Sequence, residues 1–238
     1  ASRCSAYVMA VLETARPGVS ERQVFHAVPW GGEPLAYHPV LSSGADVAVG
    51  LRSPSTRRFE LGDAAIIGIG LWGGNTASCG LVAASESDLR TESDGYLERL
   101  AFPYWRAIAA WYEALALGTP GGEIFREITE LLTGEAFSSS LNPGHLIHYD
   151  EWLDSPIRAG SDDPIASGMV LQSDIIPTGI GPGWTVNCED TVAVGLCVDV
   201  PGRHRAGRRQ QQRQREQCAR RAARGADRHA HAHGGPPA

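Results

Sequence analysis

The composition of this chain changes abruptly near residue 200, and this change limits how much of the chain can form a folded domain. Residues 201–238 contain ten Arg and two acidic residues but no Val, Ile, Leu, Met, Phe, Trp or Tyr. Such a segment cannot bury enough apolar surface to offset the conformational entropy lost on ordering. The sequence therefore predicts one folded domain over residues 1–200 and a disordered, Arg-rich tail over residues 201–238.

Two interpretations of the tail stay open. Its Arg, Ala, Gly, Pro and His content is what a shifted reading frame in a GC-rich gene produces, which favours non-native sequence. The alternative is a basic arm that binds nucleic acid. The first 200 residues contain eleven Arg and 25 acidic residues, a net charge of −14 that opposes nucleic-acid binding by the domain itself.

The predicted elements follow the order helices, strands, helices, strands. Helical spacing covers residues 2–16, and Ser20 with Gln23 forms a capping box that opens a second helix ending near Pro29. Further predicted helices are 103–117 and 120–133. Predicted strands are 37–41, 46–51, 61–72, 78–84, 145–149, 168–175, 184–188 and 190–198. This order is typical of an α+β fold with two related halves and does not match the alternation of a Rossmann fold.

The stretch GHLIHYDEW, residues 144–152, gathers two histidines and two acidic residues. Side chains three residues apart on a strand point to opposite faces, so His145 and His148 are not expected to bind one metal ion together. Tyr149 shares the face of His145 if the strand continues that far. Asp150 and Glu151 are interpreted either as loop charges or as acids of a pocket.

Five stretches, in order along the chain, resemble those of one protein superfamily. They are ARPGVSERQVFHAV, HPVLSSGADVAVGLRSPSTRRFELGDAAIIGIGLWGG, NPGHLIHYDEWLDSPI, SGMVLQSDIIP and NCEDTVAV. Together they resemble the pita-bread superfamily of methionine aminopeptidase, Xaa-Pro aminopeptidases, prolidase and creatinase. The resemblance implies a pita-bread fold, in which two pseudo-symmetric α/β halves surround a curved antiparallel sheet.

The resemblance also implies a site with two divalent metal ions, held by two Asp, one His and two Glu and bridged by a water. The matching positions in this chain are Gly68, Cys79, His145, Asp174 and Glu189. Because glycine offers no side-chain ligand, the comparison implies a degenerate member that lacks the usual dinuclear centre. If a metal such as Mn, Co or Zn is bound, the expected ligands are His145, Asp174, Glu189 and Cys79.

Candidate catalytic residues follow from the same comparison. Two substrate-contacting histidines of the superfamily fall on Leu51 and Trp152 in this chain. The predicted catalytic residues are His145, Asp174 and Glu189, and the crowding of the two carboxyls predicts that the pKa of one is raised. His38, Tyr149 and Trp152 are predicted to contact the substrate.

Three functions stay open at this point. The first is metal-free hydrolysis of a C–N bond, which creatinase, a member of the superfamily, carries out with a histidine and carboxylates. The second is a pseudopeptidase that acts as a binding or scaffold protein, and the third is a mononuclear metallohydrolase. The expected partner is a peptide or a small molecule, and dimerisation is common in the superfamily.

The cysteines and the hydropathy of the chain bear on its location. None of the five cysteines has CxxC spacing, and their odd number does not suit a disulfide framework. No apolar run reaches the roughly 18 residues that a membrane span requires, and no secretion signal is recognised. These features predict a cytoplasmic protein with reduced thiols.

Overall fold

Each half of the chain begins with a pair of helices and continues into antiparallel strands. A computed structural model describes residues 2–90, 93–181 and 183–195. The first half contains α1 (Ser2–Thr14), α2 (Glu21–Phe25), β1 (Val40–Ser43), β2 (Ala64–Leu71) and β3 (Gly74–Leu81). The second half contains α3 (Phe102–Ala114), α4 (Gly121–Leu132), β4 (Ser138–Ser139), β5 (Gly144–Leu146), β6 (Val170–Ser173), β7 (Pro177–Thr178) and β8 (Asn187–Ala193). This order confirms the predicted α+β class.

Two predictions concern the ends and the hydropathy of the chain. The tail predicted to be disordered, residues 201–238, lies outside the described residues. Among the helices of the described ranges, none is both long and apolar enough to cross a membrane.

Local sequence signals explain where the helices begin and end. The Ser20 hydroxyl accepts a hydrogen bond from the backbone amide of Gln23, and the Gln23 side chain accepts one from the backbone amide of Ser20. This reciprocal pair confirms the predicted capping box. Helix α1 ends at Thr14, shortly before Gly18 turns the chain with a φ of +87°. Pro103 stands in the first turn of α3, which continues directly from a π-helical turn over Leu97–Ala101.

Six strands form one antiparallel sheet in the order β1-β2-β3-β8-β6-β5. The central pairing joins β3 to β8 and sets Ala77 opposite Glu189. On the far side of β8, Gln172 of β6 lies between Thr191 of β8 and His145 of β5. A strand of the first half is therefore paired directly with the last strand of the second half.

Two apolar cores fix the position of the sheet. The first surrounds α1 and α2 and takes in Ile67 and Ile69 of β2. The second centres on Trp111 of α3 and takes in Leu171 of β6. Side chains alternate between the two faces of a strand, so the residues next to these core positions point to the opposite face. That second face carries the polar residues of the candidate site.

Some of the predicted strands are wrong in extent or type. Residues 46–51 do not form a strand, because Gly44–Val49 is a 3₁₀-helix. Gly44 has a φ of +59°, which ends the extended backbone directly after β1. Val49 is 70% exposed, so the alternating apolar residues of this segment do not form a buried face. The strands predicted at 184–188 and 190–198 are one strand, β8, which pairs with β3 and β6 without interruption.

A buried negative charge lies at the start of β2. The Asp63 side chain has no solvent exposure, and its Oδ2 accepts hydrogen bonds from Arg57 Nη2 at 2.8 Å and from the Glu60 backbone amide at 3.0 Å. Its Oδ1 accepts a third from Arg90 Nη2 at 3.0 Å. Two guanidinium groups and one amide thus offset the cost of removing this carboxylate from water.

Gly121, at the start of α4, packs against the backbone of Pro156 with no room for a side chain. A Cβ at this position would overlap the carbonyl oxygen of Pro156. We expect Gly121→Ala to lower the free energy of unfolding by about 1–3 kcal/mol, as overpacking does, and to lower the urea midpoint. Gly80→Ala is the control, because a Cβ there meets no atom within 4 Å. Equal effects of the two substitutions would contradict this prediction.

Candidate functional site

Polar side chains from three neighbouring strands, β5, β6 and β8, lie on the face of the sheet opposite the helices. The pairing sets His145 of β5 opposite Gln172 of β6, and Gln172 opposite Thr191 of β8. Glu189 lies two residues before Thr191, and Asp174 two residues after Gln172, so both carboxyl groups share this face. The structure thus brings together the three residues predicted to be catalytic, His145, Asp174 and Glu189.

His145 is the most enclosed member of this group, with 1% of its surface exposed. Its Nδ1 lies 3.0 Å from the carbonyl oxygen of Leu146. A carbonyl can only accept, so Nδ1 carries the proton and Nε2 is the nitrogen that exchanges one. Nε2 lies 3.4 Å from Glu151 Oε1 and 3.8 Å from Asp174 Oδ2, and it has no hydrogen-bond partner among the described residues.

The surroundings of His145 act on its pKa in opposite directions. Burial lowers the pKa of the imidazole, whereas its contacts with Glu151, the Leu146 carbonyl and Asp174 raise it, and the pKa is raised on balance. The two acids near Nε2 therefore favour the imidazolium form.

Asp174 and Glu189 both have raised pKa values, whereas crowding of the two carboxyls predicted a raised pKa for one of them; burial is the largest cause in each case. Burial raises the pKa of Asp174 to about 6, although His145 opposes this rise. Burial and the charge of Asp174 raise the pKa of Glu189 to about 8, against a hydrogen bond from Asn187. Carboxyl groups whose pKa values lie this close to neutrality can exchange protons under physiological conditions.

Glu189 is held in place by two side-chain amides. Asn75 Nδ2 donates to its Oε2 at 3.1 Å, and Asn187 Nδ2 donates to its Oε1 at 2.5 Å. Each amide is oriented in turn by a tyrosine hydroxyl, because Tyr37 donates to Asn75 Oδ1 at 2.5 Å and Tyr104 donates to Asn187 Oδ1 at 3.0 Å. This network, from Tyr37 to Tyr104, fixes the orientation of the carboxyl group.

The residues present do not fit a pair of metal ions. Gly68 has no side chain, and a Cβ built on it would lie 2.9 Å from the Tyr37 hydroxyl oxygen, so the tyrosine fills the space that a ligand at this position would need. Cys79 is a thiol and not a carboxylate, and burial raises its pKa to about 12. Among the residues described, no three His, Cys, Asp or Glu side chains are arranged to hold a metal ion.

Tyr37, Asn75 and Asn187 are site residues that sequence reasoning missed. One signal for Tyr37 is present in the sequence. Gly68 and Gly70 are two residues apart on β2 and leave a trough on one face of the sheet, and a Cβ at Gly70 would overlap the Tyr37 ring. Small residues at alternate positions of a buried strand therefore indicate that a large side chain lies across them.

The three residues predicted to contact substrate are all exposed. Trp152 is 54% exposed, and its ring centroid lies 6.2 Å from that of His145. Tyr149 is 60% exposed and lies edge-on to Trp72, because the strand ends at Leu146 and does not carry Tyr149 onto the face of His145. His38 is exposed, with its Nε2 3.3 Å from the Leu51 carbonyl. Their contacts with substrate stay predictions.

Comparisons with known proteins agree with the fold. The profile of metallopeptidase family M24 matches residues 1–195. The structure is similar to Xaa-Pro dipeptidase from Bacillus anthracis (TM-score 0.64, 19% identity, covering 81% of this chain and 55% of that chain). It is also similar to the prolidase from Pyrococcus furiosus (TM-score 0.62, 23% identity, covering 82% and 58%) and to the Pseudomonas aeruginosa aminopeptidase PepP (TM-score 0.64, 17% identity, covering 82% and 51%).

These similarities extend over only part of each solved structure. The present chain spans between 51% and 58% of their lengths. No curated protein sequence matches the chain. The structural likeness bears out the pita-bread fold that the sequence resemblance implied.

Proposed function

Because this chain belongs to metallopeptidase family M24, we propose that it is a peptidase-like hydrolase that cleaves a C–N bond without the two metal ions typical of that family. The observation that carries this proposal is the position of Tyr37. Its hydroxyl fills the space beside Gly68 and binds Asn75, which in turn binds Glu189. This network stands where the family resemblance implies an oxygen ligand, which supports hydrolysis that does not depend on the dinuclear centre.

In the proposed reaction, His145 exchanges the proton. A water next to Nε2 gives its proton to that nitrogen while its oxygen attacks the carbon of the scissile C–N bond. The imidazolium then returns the proton to the departing nitrogen. The hydrogen bond from Nδ1 to the Leu146 carbonyl keeps the ring in the required orientation, and Glu151 and Asp174 stabilise the imidazolium.

Asp174 and Glu189 have different roles toward the substrate. With a pKa near 6, Asp174 is mostly ionised at pH 7.5 and accepts a hydrogen bond from a substrate N–H group. With a pKa near 8, Glu189 is mostly protonated at that pH and donates to the oxygen that becomes negative during the attack. Two carboxyl groups with separated pKa values are the usual basis for such a division.

The proposal predicts that hydrolysis survives removal of metal ions but not the loss of Asp174. We expect the full chain, dialysed against a chelator, to hydrolyse at least one member of a panel of Xaa-Pro peptides, small amides and amidines. Asp174→Asn keeps the shape but removes the charge, and should lower kcat/KM by about 10²-fold. The matched control is Asp150→Asn, in the loop beside His148 and exposed.

Metal analysis of the same preparations tests whether the activity requires a bound metal ion. Near-stoichiometric Mn, Co or Zn that is lost in His145→Ala, together with activity that requires that metal, would contradict metal-free hydrolysis. It would support the mononuclear alternative, with His145, Asp174, Glu189 and Cys79 as the candidate ligands.

A specific observation also favours the second candidate, a pseudopeptidase that binds a ligand without catalysis. His145 is 1% exposed, and both oxygens of Glu189 are already hydrogen-bonded within the protein. A site closed in this way leaves little room for an attacking water. Turnover that Asp174→Asn abolishes would exclude this candidate, whereas ligand binding without turnover of any substrate in the panel would support it.

A further inference from the structure

Gln172, in the middle of β6, is a buried polar residue that the reaction described above does not use. Its exposed fraction is 0%. The Thr191 hydroxyl accepts a hydrogen bond from the Asn75 backbone amide at 2.8 Å and donates one to Gln172 Oε1 at 2.6 Å. The side-chain oxygen of Gln172 is therefore bound on the side of β8.

The side-chain nitrogen of Gln172 has no such partner. Its Nε2 is buried and forms no hydrogen bond with any residue that the structure describes. A buried N–H group without an acceptor costs free energy, and native proteins contain few of them. A planar amide carries its oxygen and its nitrogen on opposite sides of one carbon, so the bond from Thr191 to Oε1 turns Nε2 away from β8.

Strand pairing sets this nitrogen among the groups of the candidate site. Gln172 is the ladder partner of His145, and ladder partners of an antiparallel pair share one face of the sheet. Asp174, two residues after Gln172, lies on the same face, with its Oδ2 3.8 Å from His145 Nε2. Neighbouring strands thus carry two buried nitrogens, Gln172 Nε2 and His145 Nε2, that lack a partner within the described ranges.

Gln172 and Asp174 offer a donor and an acceptor side by side. Gln172 Nε2 can only donate a hydrogen bond, and the ionised Asp174 carboxylate can only accept one. A primary carboxamide presents the complementary pair, because its carbonyl oxygen and one of its N–H groups lie on the same edge. The amide bond before a proline has no N–H group, and a trans secondary amide has its N–H on the side opposite to the carbonyl oxygen.

We propose that Gln172 is a substrate-binding residue and that this site takes a primary carboxamide in preference to the tertiary amide of an Xaa-Pro bond. Gln172 Nε2 donates to the carbonyl oxygen of the ligand. Asp174 accepts from an N–H group, which sets the amide nitrogen beside His145 Nε2. The inference names the substrate class of the proposed hydrolase and rests on the proposed function for its reaction.

Hydrolysis of such a substrate balances with water as the only other reactant, because a carboxamide and water give a carboxylic acid and ammonia. The water oxygen forms a bond to the carbonyl carbon, and a water proton passes to His145 Nε2. The C–N bond then breaks, its electron pair stays with the nitrogen, and the nitrogen takes the proton from His145 and leaves as ammonia. Gln172 Nε2 donates to the oxygen on which negative charge develops, together with Glu189.

Titration calorimetry on the full chain, in the presence of a chelator, tests the preference for primary amides. The probes are hydrocinnamamide and benzamide, each compared with the pyrrolidide of the same acid, whose nitrogen carries no hydrogen. We expect at least one primary amide to bind about tenfold more tightly than its pyrrolidide, the effect of one buried hydrogen bond to a charged group. Equal or weaker binding of the primary amide in both pairs, or no binding of either primary amide, would overturn the inference.

Three variants test the part that Gln172 takes in binding. Gln172→Glu keeps the size and the acceptor for Thr191 but has no N–H, and Gln172→Met keeps only the length, so both should weaken amide binding by about tenfold. Ser42→Ala is the matched control, because Ser42 is also buried on a strand and its hydroxyl has no partner in the described part of the chain. Its amide binding should be unchanged. Unchanged binding by Gln172→Glu, or equal losses in Gln172→Met and Ser42→Ala, would contradict the assignment.

Thermal unfolding distinguishes substrate binding from a structural role of Gln172. A residue kept for the stability of the fold loses stability when it is replaced, whereas removal of an unpartnered buried N–H group is close to neutral. We expect the Tm of Gln172→Met without ligand to stay within about 3 °C of that of the unmodified protein. A larger fall would assign Gln172 to the core and overturn the inference.

Ammonia release from the same amides separates this inference from the proposed function. Preferential binding of a primary amide without release of ammonia would leave the inference standing and remove the catalytic proposal. Metal-independent cleavage of Xaa-Pro peptides by a protein that binds neither primary amide would keep the catalytic proposal and overturn the inference.

Discussion

His145→Gln is expected to lower kcat of the proposed hydrolysis by about 10²- to 10⁴-fold, the usual contribution of a positioned general acid and base. Glutamine is polar and of similar length, but it cannot exchange a proton near neutral pH. The loss should fall mainly on kcat, because the proton moves only in the transition state. Steady-state kinetics on the best substrate of the panel measures it, and thermal unfolding of the same variant verifies that it folds.

His148→Gln is the matched control for this experiment. His148 lies three residues away, is exposed and stacks edge-on against Tyr149 at 4.2 Å between ring centroids, outside the group around Asp174. We expect its kcat to stay within about twofold of the unmodified protein. Equal losses in the two variants, or a kcat of His145→Gln within twofold of normal, would rule out a proton-transfer role for His145.

Asp63→Ala is expected to lower the free energy of unfolding by about 3 kcal/mol, although Asp63 takes no part in the candidate chemistry. Removing this fully buried carboxylate leaves Arg57, Arg90 and the Glu60 amide without the acceptor that they share. The loss of a buried, multiply bonded charge is among the few single changes that cost this much. Urea unfolding followed by tryptophan fluorescence measures the difference.

Two variants test the physical reason behind this loss. Asp63→Asn keeps the size and one acceptor, so it should recover part of the stability if geometry contributes as well as charge. Glu130→Ala removes an exposed ion pair, in which Glu130 lies 3.9 Å from Arg126 on α4, and should cost less than about 0.5 kcal/mol. A loss at Asp63 no larger than that at Glu130 would refute the buried-charge explanation.

The features that were predictable from the sequence depend on short-range patterns and on the order of motifs. The capping box needs only Ser20 and Gln23, three residues apart, and the helix pairs follow from apolar spacing and prolines. The grouping of His145, Asp174 and Glu189 was also predictable, because strand alternation and the family resemblance both set these side chains on one face.

Features that depend on contacts between distant segments could not be predicted. Tyr37 reaches Asn75 only because β2 offers glycine at two alternate positions, and Asn187 reaches Glu189 only in the register that β8 adopts. Whether Glu151 joins the site or remains a loop charge depends on where β5 ends. Strand β5 is three residues long, Gly144–Leu146, so the chain leaves the sheet early enough for the Glu151 side chain to reach His145.

The pairing of β3 with β8 has a consequence for the synthesis of this protein. Asn75 and its β8 partner Thr191 are 116 residues apart, so a ribosome translates most of the domain before the last strand can reach its place. During that interval β3 presents an open edge, which other nascent chains can pair with. We therefore expect a polypeptide that stops before β8 to leave this edge of β3 exposed and to aggregate more readily than the full domain.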